Sequence, residues 1–173
     1  MASAESPVVV LLPIKPRYAR PIMSGKKLVE FRKNAFARRP SHVVVYASTP
    51  VRKVLGYFEV SAVDVDAVDA LWDKYSHVGG VPAAEFGRYY AGRERGVAVS
   101  VGRIVHAATP AALADLGLDG RPPQNYAYVD SEVLDRVLCH SDSSERVARE
   151  DRRDNGRCSA PATHGLGCAT ADL

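Results

Sequence analysis

The stretch Gly25-Lys26-Lys27-Leu28-Val29-Glu30-Phe31-Arg32 decides how the rest of the chain is read. A glycine, free to take positive φ, ends a helical turn and delivers a lysine to the mouth of a strand. From Lys27 to Lys33 the side chains alternate, with Val29 and Phe31 on one face and Leu28, Glu30 and Arg32 on the other. That spacing predicts a half-buried strand whose polar face sets a carboxylate beside fixed cationic donors. If the face lines a cleft, such a set grips a phosphate or reads the edge of a base. The same residues fit equally a weak Glu30–Arg32 surface pair on an exposed sheet face. The strand by itself leaves both alternatives open.

Working outward, residues 8–14 form a β-branched and leucine run that reads as a central strand. Pro16 suits the first position of a helix whose apolar face is Tyr18, Ala19, Ile22 and Met23, kept short by Pro21 and Gly25. A basic loop at 34–41 leads to a strand at 42–47, a turn at 48–50 and a long strand at 51–65 bent at Gly56. Helices are expected at 66–75, with Val68, Leu71, Trp72 and Tyr75 on one side, and at 82–90. A strand at 96–105 follows, then a short helix at 110–116 stopped by Gly117. An extended segment at 121–128 is placed to close the sheet, and 131–138 forms a last helix. Dominant strands with short helices between them indicate an α+β domain built on a curved sheet or small β-barrel. Residues 139–173 hold few large apolar side chains and read as a disordered tail. The expected organisation is a flexible N-terminus at 1–7, one domain at 8–138 and the tail at 139–173.

Composition narrows the function. The chain has 173 residues, of which 46% are apolar, enough for the core of one domain. It has no apolar run of membrane-spanning length, and its N-terminus lacks the basic and apolar regions of a signal peptide. Cys139, Cys158 and Cys168 form no disulfide framework, and a reducing cytoplasm is the expected compartment. Cys158, His164 and Cys168 have no compact zinc-ligand spacing, and His42, His77 and His106 are scattered, so neither metal nor cofactor is expected. The net charge of +3 hides a strong asymmetry. Between Lys15 and Lys53 lie eleven Lys and Arg against Glu30 as the one acid, whereas 54–73 carries five acids and no base. A basic block of this kind favours a polyanionic partner. The helices at 66–75 and 82–90 have acidic and mixed faces, so no helix-turn-helix for reading DNA is expected. Arg93-Glu94-Arg95 reads as a turn with an internal ion pair.

Ile14-Lys15-Pro16, Tyr18-Ala19 and Gly25-x-Lys27-x-x-Glu30-x-Arg32 together resemble the signature of the ASCH superfamily, relatives of PUA domains. The resemblance continues through Val45-Tyr46-Ala47-Ser48-x-Pro50-Val51, Gly56-x-Phe58-Glu59-Val60, Gly92-x-Glu94-Arg95-Gly96 and Arg121-Pro122-Pro123-Gln124, covering about residues 8–128. These motifs are similar to a bacterial and archaeal subgroup described as transcriptional regulators. The resemblance implies a PUA-like barrel with a basic cleft for RNA or a nucleotide-derived small molecule. Lys15 and Tyr18 would lie on the first turn, Lys27, Glu30 and Arg32 on the next strand, and Tyr46 and Ser48 on its neighbour. Gln124 and Tyr126, on the closing segment, complete the expected site, and the tyrosines offer faces for unpaired bases. Enzymes of the superfamily include amidohydrolases acting on acetylated cytidine, in which a lysine is followed three residues later by a threonine nucleophile. Here Glu30 stands at the threonine position and 76–81 holds no second acid. A carboxylate attacking an acyl group gives an anhydride and needs different activation. Other members are described as ribonucleases, and Lys27 with Glu30 would serve such an enzyme as an acid/base couple. The leading expectation is a non-catalytic binding module; the alternative is a hydrolase, either a ribonuclease or an amidohydrolase on a modified nucleoside.

Overall fold

A computed structural model describes residues 6–140, and the rest of the expected tail and the first five residues lie outside that span. Its elements run β1 (Val9–Ile14), α1 (Pro16–Met23), β2 (Val29–Arg32), β3 (His42–Ala47), β4 (Lys53–Ala67), α2 (Val68–Tyr75), α3 (Ala83–Tyr90), β5 (Arg95–Ala111), a 3-10 turn at Ala114–Leu116, β6 (Ala127–Val129) and α4 (Glu132–Cys139). The six strands form one sheet in the order β2-β5-β4-β3-β1-β6. β1 and β3 pair in parallel, Val9 opposite His42, because α1 and β2 intervene as a crossover; the remaining pairs are antiparallel.

The β-branched runs of β1 and β3 bury both of their faces, since strand side chains alternate and each face has its own cover. Val10, Leu12, Val43, Val45 and Phe58 pack on one side with Ala19, Ile22 and Met23 of α1. Val9, Leu11, Val44, Tyr46 and Tyr57 pack on the other with Val133 and Val137 of α4. At the β2/β5 end a third cluster joins Val29 and Phe31 to Leu71 of α2 and to Phe86 and Tyr90 of α3.

β4 curves across the sheet through register shifts at Val54/Gly56, Phe58/Val60 and Val60/Ala62. Extra residues on one strand sharpen its twist and bend it. Gly56 takes φ +149° at the first of these, and a Cβ there would run into the Val105 carbonyl and lie 2.6 Å from Met23 Cε. The bend expected from the sequence is therefore required by close backbone approach.

Three expectations need correction. The sheet is not closed into a barrel: β2 and β6 are its two edges, and β6 pairs with β1 over only three residues. The helix expected at 110–116 is reduced to its last turn, because β5 continues to Ala111, which pairs with Val54 and is buried. β2 is not half-exposed, since Glu30 on its polar face is 6% exposed and Lys27 just before it 1%.

Arg32 bridges the open seam. Its guanidinium donates to the Pro13 carbonyl of β1 at 3.3 Å and to the Asn125 carbonyl ahead of β6 at 2.6 Å. The β1/β6 ladder has already ended at Leu11, so the side chain supplies donors where no strand does. Gly56→Ala is expected to destabilise the domain by at least about 2 kcal/mol, from backbone strain and overpacking, as measured by urea unfolding.

Candidate functional site

A cleft of about 580 Å³ opens between α1, β2 and α3, walled by Pro13, Ile14, Lys15, Arg17, Tyr18, Lys27, Glu30, Phe31, Arg32, Lys33, Val81, Glu85, Phe86, Arg88 and Tyr89. α1 starts at Pro16 and ends at Met23, just ahead of Gly25, which takes φ +73°. The chain then folds back so that the Lys26 and Lys27 amides both bond the Pro21 carbonyl, at 2.9 and 3.1 Å. This hook places Lys27 immediately ahead of β2.

A strap at 78–80 closes over it. The Leu28 amide donates to the Val78 carbonyl at 3.0 Å, and the Gly79 carbonyl accepts from Lys27 Nζ. Both glycines are needed for that passage. A Cβ on Gly79 would meet the Phe31 ring and lie 2.9 Å from the Tyr75 carbonyl, and Gly80 takes φ +58° with the Lys27 stem at 3.3 Å.

Lys27 Nζ also donates to the Val29 carbonyl at 2.6 Å and lies 3.5 Å from Glu30 Oε2. Two of its three N–H groups thus bond carbonyls, and its charge is paired with the Glu30 carboxylate. The Phe31 and Tyr18 rings add cation–π contact at 5.2 and 5.6 Å. Glu30 is held less fully, with Oε1 4.0 Å from Arg32 Nη1. Burial pushes its carboxyl above the usual range, against the pull of Lys27 and Arg32. Burial likewise lowers the Lys27 ammonium, against the pull of Glu30. The two shifts bring an acid and a base towards each other. Arg32 spends two donors on the seam and has three more N–H groups to offer.

The opposite wall is α3. Glu85 pairs with Arg17 of α1, and its bond to the Tyr18 hydroxyl holds the Glu85 carboxyl below its ordinary value. Burial and then Glu85 push the Tyr18 phenol up to about 12. Six cationic side chains (Lys15, Arg17, Lys27, Arg32, Lys33 and Arg88) surround the cleft against two carboxylates, Glu30 and Glu85.

Of the residues expected from the sequence, Lys15, Tyr18, Lys27, Glu30 and Arg32 come together here. Tyr46, Ser48, Gln124 and Tyr126 do not line the cleft. Tyr46 is 4% exposed in the α4-side core, one strand position out of phase with the cleft side. Ser48 lies in the turn after β3, its amide on the Ile14 carbonyl at 2.9 Å. Gln124 is exposed at the seam. Tyr126 packs on Phe36 at 4.8 Å, and its hydroxyl accepts from the Ala37 amide at 3.2 Å, so it pins the basic loop 34–41. Tyr128 does the same to Arg38, accepting from its amide at 2.6 Å and donating to its carbonyl at 2.8 Å. Arg17, Lys33, Glu85, Arg88 and Tyr89 were not expected. The helical spacing of Glu85, Arg88 and Tyr89 was the available signal for α3, with Phe86 and Tyr90 facing the core beside them.

Among the described residues no group of three His, Cys, Asp or Glu could hold a metal ion, and Cys158, His164 and Cys168 lie outside them. Among the same residues no helix is long and apolar enough to cross a membrane.

Residues 12–96, which contain the hook, the strap and both walls of the cleft, match the model of the ASCH domain. An ASCH domain-containing ribonuclease of Zymomonas mobilis is 25% identical over 126 residues, covering 71% of this chain and 85% of its own length. The crystal structure of ASCH from the same organism superposes with a TM-score of 0.69 at 25% identity, covering 75% of this chain and 93% of that one. The large ribosomal subunit protein uL22 of Ureaplasma parvum is 24% identical over 72% of this chain, which spans only 40% of that longer protein. The fold is mixed α/β and consistent with a PUA-like sheet left open. These likenesses do not support the transcriptional-regulator subgroup that the sequence motifs resemble.

Lys27→Met leaves Glu30 buried without its nearest cation and two carbonyls without a donor, which is expected to cost about 3–5 kcal/mol at pH 8. The loss should shrink at pH 5. A carboxyl raised above 4.5 binds more protons folded than unfolded, so the stability of the variant falls as pH rises through its folded value. Urea unfolding of both proteins at the two pH values checks the sign.

Proposed function

We propose that the cleft binds single-stranded RNA or a nucleotide-derived ligand. The observation that carries this is the set of six cations around a cleft that Glu30 also lines, its carboxylate paired at 3.5 Å with the buried Lys27. The rim cations Lys15, Arg17, Lys33 and Arg88 match phosphate. Arg32 offers a planar donor fork for a phosphate or a base edge. Glu30 accepts from the N–H groups of a base, and the Tyr18 and Tyr89 rings offer stacking surface worth about 1–3 kcal/mol per base. The ribonuclease name of the Zymomonas relative favours RNA over other polyanions.

A second reading, RNA cleavage, has its own support in that relative and in the converging Lys27 and Glu30 pKa shifts. In it Glu30 is the general base that takes the proton of the attacking hydroxyl. Lys27, buried and bonded to two carbonyls, tunes Glu30 and does not touch substrate. The base form of Glu30 is required, so the rate would rise with pH along a limb above 4.5.

Titration of a labelled single-stranded RNA at several salt concentrations is expected to give a slope of about −0.7 log units of affinity per decade of salt for each phosphate contact. Arg32→Ala and Arg88→Ala should both weaken binding. Arg88, remote from the seam, separates lost contact from lost fold. A flat salt response would overturn the reading. Intact RNA after incubation fits the binding module, whereas cleavage that Glu30→Gln abolishes while binding survives identifies a nuclease.

A further inference from the structure

A second depression, of about 380 Å³, lies beside the first and is lined by Lys33, Ala35, Val65 and the turn from Gly92 to Val97. Lys33 lines both hollows. Its ammonium stands 5.0 Å from the centre of the Tyr89 ring, and Tyr89 is a wall of the first cleft that remains 37% exposed. The charges of Arg32, on the cleft side, and Arg93, on the far side, both act on the Tyr89 phenol. Lys33 is therefore common to the two hollows, with the Tyr89 ring beside it on the cleft side.

The sequence suggested that Arg93-Glu94-Arg95 would neutralise itself. Among the described residues no ion pair forms within it. Instead the turn is held through its backbone and one side chain. The Arg93 amide donates to the Tyr90 carbonyl at 2.8 Å, the Glu94 carbonyl accepts from the Val68 amide at 3.0 Å, and Arg95 Nη2 donates to the Val65 carbonyl at 2.9 Å. Among the described residues the Arg93 guanidinium has no hydrogen bond or ion pair, and it lines the second hollow on a fixed turn.

The geometry points to a second phosphate subsite at this turn, so that the ligand is a single-stranded polynucleotide running from the main cleft past Tyr89 and Lys33 to Arg93. This rests on the RNA reading of the main cleft and deepens it, because a free nucleoside or mononucleotide would fill the first hollow and leave the second unused. Arg93 is the residue whose loss should separate long ligands from short ones. A stacking ring between two cationic stations is the arrangement by which single-strand binders follow a backbone without reading sequence.

The test compares a nucleoside monophosphate with a single-stranded RNA decamer on the full chain, in the wild type, Arg93→Ala and Arg32→Ala. One phosphate contact contributes about 0.7 log units per decade of salt, so the ratio of wild-type to Arg93→Ala affinity for the decamer should be about fivefold larger at 0.1 M than at 1 M salt. Its affinity for the monophosphate should not change. Arg93→Glu should enlarge the decamer effect with the same selectivity. If the decamer binds, is weakened by Arg32→Ala and is indifferent to both Arg93 variants, the second subsite is overturned while the main cleft stands. If neither ligand binds the wild type, both readings fall. If the monophosphate also loses affinity in Arg93→Ala, Arg93 belongs to the first site and the extended path is overturned.

Discussion

A lysine ammonium almost out of contact with water needs an acceptor for each of its N–H groups, and in this domain that need recruits three separate parts of the chain. The hook after α1 supplies Lys27, β2 supplies the Val29 carbonyl and the Glu30 carboxylate, and the strap at 78–80 supplies the Gly79 carbonyl. An unpaired buried ammonium costs several kcal/mol, so the three parts are held together as firmly as any apolar contact would hold them. The strap leads directly into α3, whose Phe86 and Tyr90 complete the third core cluster. The position of the second wall of the cleft thus follows from satisfying one buried cation.

That arrangement also divides the work between two adjacent charges. Lys27 is buried and bonded to the Val29 and Gly79 carbonyls, and Glu30 is paired with it while lining the cleft. Arg32 is shared between seam and cleft. Its site role and its structural role cannot be changed independently, whereas the Arg88 side chain on α3 makes no hydrogen bond or ion pair among the described residues and lines the cleft.

Much of the fold was legible because β1 and β3 are β-branched runs, Gly25 and Gly56 mark a stop and a bend, and α1 shows its apolar stripe plainly. What failed did so through partners distant in sequence. β2 has a clean alternation, yet its polar face is roofed by residues about fifty positions later, which no local pattern can announce. Pro110 suits a helix start, but pairing of Ala111 with Val54 keeps the strand going. The unbroken Val43-Val44-Val45-Tyr46 run contains no polar residue to set its phase, so the sequence could not say that Tyr46 faces α4. In the site, the β2 half was visible from its charge pattern. The α3 half was hidden because Glu85, Arg88 and Tyr89 look like any solvated helix face until β2 is packed beneath them.

A sheet whose seam is joined by a guanidinium keeps two free edges, and free edges invite strand addition by other chains. Both are poor templates here. β2 offers only four residues and bears Glu30 and Arg32, and β6 offers only three. A strand docking at the seam would have to strip Arg32 from the Pro13 and Asn125 carbonyls and bury its charge without them. The residue that joins the open sheet therefore also guards it against self-association.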